Sequence, residues 1–326
     1  MRRRAAMRAN PLEALLASEP FVLLDGALAT ELEARGADLS GGLWSARVLT
    51  DAPALIRAVH ADYLAAGADV VTGASYQASF AGFARAGLAH DAAARLMARS
   101  VGLAREARDQ FWAVEGKRAG RGYPLVAASV GPYGATLADG SEYRGGYGLS
   151  VEQLMDFHRE RLACLIAAGP DLLACETLPC AEEAVALARL FTEEFPDARA
   201  WLAFSCRDGA TLADGTPLTD ALLQIDACPQ IVAVGVNCTA PGFVTALITA
   251  ARAVTAKPVL AYPNSGERWD AKTQCWHGHG DDFAGDATGW LAAGARLVGG
   301  CCRTTPATIA ALAALRARLK AAASRG

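Results

Sequence analysis

Eight short runs of aliphatic and β-branched residues recur along the chain, at 21–26, 69–75, 125–130, 172–177, 200–206, 232–238, 258–264 and 295–301. Each leads through glycine or polar positions into a segment whose apolar residues return with helical period, as at 53–65, 91–108, 151–168 and 306–323. Runs that are apolar almost throughout, rather than alternating, belong to parallel strands buried on both faces. Eight such strand-helix units in 326 residues predict an α/β fold: a single-domain (β/α)8 TIM barrel over 11–326, with an N-terminal extension over 1–10. A doubly wound open sheet is the alternative. It usually carries a glycine-rich phosphate turn after the first strand, and Asp25-Gly26-Ala27-Leu28-Ala29 is not one. The least regular stretches, 131–148 and 263–282, are expected to be lids or binding loops.

A parallel barrel gathers its functional groups at the C-terminal ends of its strands. Those ends carry Asp25, Ser75, Glu176, Cys206, Cys238, Asn264 and Cys301. The last run ends in Gly299-Gly300-Cys301-Cys302-Arg303-Thr304-Thr305-Pro306. The glycines permit a sharp turn, and Thr304 or Thr305 can cap a helix that begins at Pro306. Two thiols beside a helix N-terminus favour the thiolate form, a metal-ligand or reactive environment. Cys238 ends the sixth strand, which shares parity with the eighth, so its thiol can converge on the other two. Three thiolates make a zinc set with one position open, the construction of catalytic sites. Zinc held by three thiolates is a poor Lewis acid for hydrolysis but well suited to hold a fourth, substrate, thiolate. The chemistry that follows is alkyl transfer to a thiol.

Composition narrows the partners. Charged residues are 20% and the formal net charge is -3, which gives no electrostatic footprint for nucleic acid or an anionic membrane. Small-molecule substrates are expected. Nine irregularly spaced cysteines do not resemble a secreted disulfide framework and point to a reducing cytoplasm. The basic start is followed by Asn10, Pro11 and Glu13, which is not the pattern of a signal peptide, and no apolar run reaches membrane-spanning length.

The motifs G-V-N-C at 235–238 and G-G-C-C-R-T at 299–304 resemble the homocysteine S-methyltransferase family. So do L-L-D-G-A-L-A-T-E-L from Leu23, L-W-S-A from Leu43, A-S-Y-Q-A-S from Ala74 and S-V-G-P-Y-G-A from Ser129. D-G-S-E-Y-R-G from Asp139, A-C-E-T-L-P from Ala174 and Y-P-N-S-G-E from Tyr262 complete a resemblance over nearly the whole chain. It is nearest to the stand-alone members that use sulfonium donors, S-methylmethionine or S-adenosylmethionine. The resemblance implies a barrel, one Zn2+ per chain on Cys238, Cys301 and Cys302, homocysteine as acceptor and methionine as product. It also implies that Asp25 and Glu176 hold the amino group of homocysteine, while backbone amides near Gly26 and Ser75 hold its carboxylate; Asn237 joins this substrate-binding set. One departure stands out: where related sequences place Thr-x-Ser or Thr-x-Thr, this chain has Gly73-Ala74-Ser75, with Thr72 one position early.

A sulfonium is a soft cation that aromatic faces stabilise, so Trp44, Tyr76, Tyr133, Tyr143 and Tyr147 are donor-side candidates, with Glu142 adding charge. Cys275-Trp276-His277-Gly278-His279 reads as a glycine-rich loop rather than a second metal site, and Cys164, Cys175, Cys180, Cys206 and Cys228 read as packed thiols. Three alternatives remain: betaine as donor, selenocysteine as acceptor, or a barrel that only binds or stores zinc.

Overall fold

Ten strands form among the described residues, those of the barrel largely buried on both faces. They are β1 (Val22–Leu23), β2 (Val70–Thr72), β3 (Leu125–Val130), β4 (Leu172–Leu178), β5 (Ala200–Phe204), β6 (Ile231–Asn237), β7 (Val259–Tyr262), β8 (Arg268–Asp270), β9 (Cys275–His277) and β10 (Ala295–Val298). A computed structural model describes residues 9–39, 44–116, 120–270, 275–277 and 282–324. Apart from β8 and β9, which form a separate antiparallel hairpin, the strands are parallel neighbours in the order β1-β10-β7-β6-β5-β4-β3-β2. The ends of that series meet: Leu24 bridges Val70, Asp25 N–H donates to Val70 O (3.1 Å), and Asp69 N–H donates to Leu23 O (2.7 Å). Eight strands therefore close into the expected (β/α)8 barrel.

The helices are α1 (Glu13–Ser18), α2 (Leu28–Ala34), α3 (Trp44–Asp51), α4 (Pro53–Ala66), α5 (Phe80–Arg85), α6 (His90–Phe111), α7 (Val151–Ala167), α8 (Ala181–Glu193), α9 (Leu218–Ile225), α10 (Pro241–Val254), α11 (Phe283–Ala293) and α12 (Pro306–Ala323). Their apolar faces pack on the outside of the barrel in one large core that includes Ile56, Val101, Leu162, Leu187, Leu247 and Ile309. A second core fills the interior, from Val22, Val70, Ala127, Leu172, Trp201, Leu260 and Leu297. Leu12 and Leu15, flanking and within α1, join this interior core, so the chain plugs its own barrel at the N-terminal mouth. The opposite mouth is left to carry chemistry.

Three sequence expectations are refined. Strand ladders are shorter than the apolar runs: β1 stops at Leu23 and β2 at Thr72, so Asp25 and Ser75 lie beyond them. The stretch 131–148 contains two short 3-10 turns, Tyr133–Thr136 and Ser141–Tyr143, and 263–282 contains the β8–β9 hairpin. Of the extension expected over 1–10, residues 1–8 lie outside the described residues. Helix α12 begins as expected, with Thr305 as N-cap and Pro306 at its first position, an arrangement worth about 1 kcal/mol.

Candidate metal centre and substrate cavity

At the C-terminal mouth the chain turns sharply after β6 and after β10. Cys238 follows β6 with a left-handed backbone (φ 49°), and Arg303, just past Cys302, has φ 65°. Non-glycine residues rarely hold this conformation, and strain of this kind gathers at functional sites. Gly299 and Gly300 let the chain after β10 press against its neighbours: a Cβ on Gly299 would stand 2.5 Å from Leu24 Cβ, and one on Gly300 2.3 Å from Thr304 Oγ1. Cys301 N–H donates to Pro263 O (2.7 Å), and Ser265 N–H donates to Cys302 O (3.0 Å). The outcome is a group of three sulfurs, from Cys238, Cys301 and Cys302, all within 4.8 Å of one another, with Cys238 and Cys302 at 3.6 Å. Such a group could hold a metal ion. Without one, the crowded thiols polarise each other: hydrogen bonds from Cys238 and Cys301 hold Cys302 well below the ordinary thiol range. Donating to Cys238 and Cys302 holds Cys301 well above it.

The thiols form one wall of a cavity of about 340 Å3. Asp25 and Glu176 line the same cavity. Asp25 accepts from Thr72 N–H (2.7 Å) on one oxygen and from the Thr72 hydroxyl (3.0 Å) on the other. Burial pushes its pKa up to about 8, against the pull of the Thr72 bonds and with a further push from Glu176. Glu176 accepts from the Ser129 hydroxyl and from Tyr262 Oη (3.1 Å), which in turn accepts from Trp201 Nε1 (3.0 Å). A polar relay therefore runs from the barrel interior to the site. Burial raises Glu176 to about 7 despite these bonds.

A bulge aims Glu176. Cys175 pairs with Leu202 but Leu178 with Phe204, so one extra residue is accommodated on β4 and Thr177 takes φ 60°. Asn237 holds that strained residue, accepting Thr177 N–H (2.7 Å) and donating to Thr177 Oγ1 (2.9 Å), while its amide also reaches Cys301 Sγ at 4.0 Å. Asn237 thus links the bulge to the thiols.

Asp25, Gly26, Tyr76, Glu142, Tyr143, Glu176, Asn237 and the three cysteines all line the one cavity. Tyr143 Oη lies 3.4 Å from Cys238 Sγ, and that sulfur, with burial, holds the phenol far above its ordinary range. Three expected residues, Ser75, Tyr133 and Tyr147, stand elsewhere. Ser75 is fully buried and donates to Ser129 O (2.7 Å); because β2 ends at Thr72, it is Thr72, Gly73 and Ala74 that face the cavity. Tyr133 packs its ring on Tyr147 and Phe157 instead of facing the cavity. The side chains of Trp44 and of 275–279 lie outside the described residues. Arg303 pairs with Glu267 (2.7 Å). The roles of Thr72, Ser129 and Tyr262 as partners of the two carboxylates are not marked in the sequence. The early threonine of the second strand was the one available signal.

A homocysteine S-methyltransferase family model matches residues 22–316. The chain is 49% identical over 313 residues to Homocysteine S-methyltransferase YbgG of Bacillus subtilis, covering 95% of this chain and 99% of that one. It is 54% identical over 308 residues to the Homocysteine S-methyltransferase of Escherichia coli, covering 94% and 98%. The crystal structure of the Homocysteine Methyltransferase MmuM from Escherichia coli, in its metallated form, superposes with a TM-score of 0.85 at 52% identity, covering 94% of this chain and 99% of that one. With barrel, cavity and thiol group in place and the match running nearly end to end, the chain belongs to the homocysteine S-methyltransferase family.

Proposed function

We propose that this enzyme methylates homocysteine in a zinc-dependent reaction, with a sulfonium, S-methylmethionine or S-adenosylmethionine, as donor. Cys238, Cys301 and Cys302 would hold one zinc per chain. Sulfurs sharing a tetrahedral zinc stand about 3.8 Å apart at bonds of about 2.3 Å, and the 3.6 Å between Cys238 and Cys302 is in keeping with that. When bound, zinc supplies the charge that keeps a substrate thiol ionised at neutral pH.

The observation that carries the reading is one cavity lined by three thiols and by two carboxylates, Asp25 and Glu176. Asp25 and Glu176 take the ammonium group of homocysteine; Thr72, Ser129 and Tyr262 fix their oxygens toward it. Backbone amides near Gly26 and Ala74 take its carboxylate. The amino-acid end is thereby anchored so that the sulfur reaches the cysteines.

The donor choice rests on charge. Among the described residues the cavity wall includes Asp25, Glu142, Glu176 and three thiols but no Lys, Arg or His. A cationic donor gains from such a wall, and the rings of Tyr76 and Tyr143 offer it aromatic faces. The thiolate attacks the donor methyl carbon, the S–CH3 bond breaks with its electron pair going to the donor sulfur, and a neutral thioether leaves. The thiol proton passes to solvent. A thiol-rich site of this kind works in a reducing compartment, and we assign the enzyme to the cytoplasm.

Initial rates with S-methylmethionine, S-adenosylmethionine and betaine, each against homocysteine and selenocysteine, test the reading. Sulfonium donors with homocysteine should give rates at least about 100-fold above betaine. Betaine as the preferred donor would overturn it.

A further inference from the structure

Two charged side chains are fully buried behind the cavity rather than in it. Arg161, on α7, donates Nη1–H to Gly131 O (2.7 Å) and Nη2–H to Ser75 O (2.9 Å) and Tyr76 O (2.6 Å). Glu183, on α8, uses one oxygen to accept Tyr133 N–H (2.6 Å) and to pair with His158 Nε2 (2.8 Å). The segment 131–133 is therefore gripped by a cation through its carbonyl and by an anion through its amide. The same cation holds the loop after β2 by two more carbonyls. Gly131 completes the junction: its N–H donates to Tyr76 O (3.2 Å), and a Cβ there would stand 2.5 Å from that oxygen and 2.7 Å from the Tyr76 ring.

Burying a guanidinium costs several kcal/mol, and carbonyls repay less of that than a carboxylate would. A helix that needed only to pack would carry an apolar residue at this position. The carbonyls that Arg161 holds belong to the two loops that bring Tyr76, Glu142 and Tyr143 to the cavity. The second loop is folded tightly enough to transmit the grip, since a Cβ on Gly134 would meet Glu142 N at 2.6 Å.

We propose that Arg161 and Glu183 are positioning residues for the methyl donor, fixing Tyr76 and the turn that carries Glu142 and Tyr143 against the thiol wall. This rests on the assignment of that wall to the donor. A misplacement of about 1 Å in such a site costs on the order of 100-fold in rate.

The test uses zinc-loaded R161K, E183Q and G131A beside wild type. Lysine keeps the charge but cannot span three carbonyls in two loops. In R161K, kcat/KM for the donor should fall about 10- to 100-fold, with a clearly smaller rise in KM for homocysteine, whose carboxylate is held one residue before the clamped carbonyls, and with metal content unchanged. Added to Y76L, the same change should cost little more than Y76L alone, because both act through one ring. Donor and homocysteine parameters moving together, or additive effects, would overturn the proposal. Should R161K fail to fold, G131A and E183Q disturb the same junction from its other sides. Hydrogen exchange gives an arm independent of the donor's identity: amides in 73–78 and 131–136 should exchange at least about 10-fold faster in the variants. Unchanged exchange there would sink the proposal even if the sulfonium assignment were right, and faster exchange would uphold the clamp if that assignment failed.

Discussion

Two buried aspartates flank the seam where the barrel closes, and they are treated in opposite ways. Asp69, at the N-terminal side of β2, accepts Leu23 N–H (2.8 Å), pairs with Arg316 and lies 3.6 Å from Arg121. Asp25, at the C-terminal side of β1, is held among the described residues by Thr72, through one N–H and one hydroxyl. The chain supplies cations to the first and only neutral donors to the second. A carboxylate that serves the fold is neutralised by the fold. One kept without its cation, at a cost in desolvation, is kept for a ligand that brings one.

The largest break in this contrast is at the three thiols. Replacing Cys238, Cys301 or Cys302 with Ala should abolish metal binding and lower methyl transfer at least about 1,000-fold. Circular dichroism should show the barrel folded, since Cys238 and Cys302 belong to neither core and Cys301 only packs against the edge of the interior one.

Next comes the pair of aspartates. D69N leaves Arg316 with only the more distant Glu19 (3.7 Å) as an anionic partner among the described residues and should cost on the order of 3 kcal/mol in urea unfolding, with homocysteine KM unaltered in the folded protein. D25N should do the reverse. Stability should equal or exceed wild type because the side chain no longer has to take up a proton, or bury its charge, on folding, while KM for homocysteine rises roughly 10- to 100-fold, the worth of a charged hydrogen bond.

The same asymmetry sets a pH dependence. Asp25 and Glu176 titrate near 8 and 7 in the folded chain, against ordinary values of 3.8 and 4.5. Between those limits the folded state holds protons that the unfolded state has released, so stability is fully present below about pH 4 and is lost as pH rises toward 8. Urea midpoints of the ligand-free protein should therefore fall from pH 5 to pH 8 by more than those of D25N. Homocysteine affinity should rise over the same range, because its ammonium group needs ionised partners.

The smallest effect is at Thr72. T72V removes one of two bonds to Asp25 and should cost about 1 kcal/mol, roughly 5-fold in kcat/KM; T72S should restore most of it.

What the sequence made legible was the chemistry that a residue announces by type. Cysteines at two strand ends, and Asp25 and Glu176 at two others, mark a site because thiols and carboxylates do not gather at strand ends for packing. The supporting partners were hidden for a geometric reason. Ser129 and Tyr262 lie 47 and 86 positions from Glu176, and their roles exist only once β3, β4 and β7 surround one axis. The bulge at Glu176–Thr177 adds a residue to an unbroken apolar run and leaves no mark on its periodicity. Arg161, His158 and Glu183 sit in amphipathic helices, where polar residues read as solvent-facing, yet all three are fully buried. Ser75 was placed at the cavity because the apolar run continues to it, whereas hydrogen bonding ends the strand three residues sooner.

The most direct test is methionine formation from homocysteine and S-methylmethionine, measured on chelator-stripped protein before and after zinc is returned. Activity should be absent from the stripped enzyme and should rise in proportion to zinc, saturating at one per chain. Full activity without zinc, or none in folded, fully loaded protein, would contradict the account.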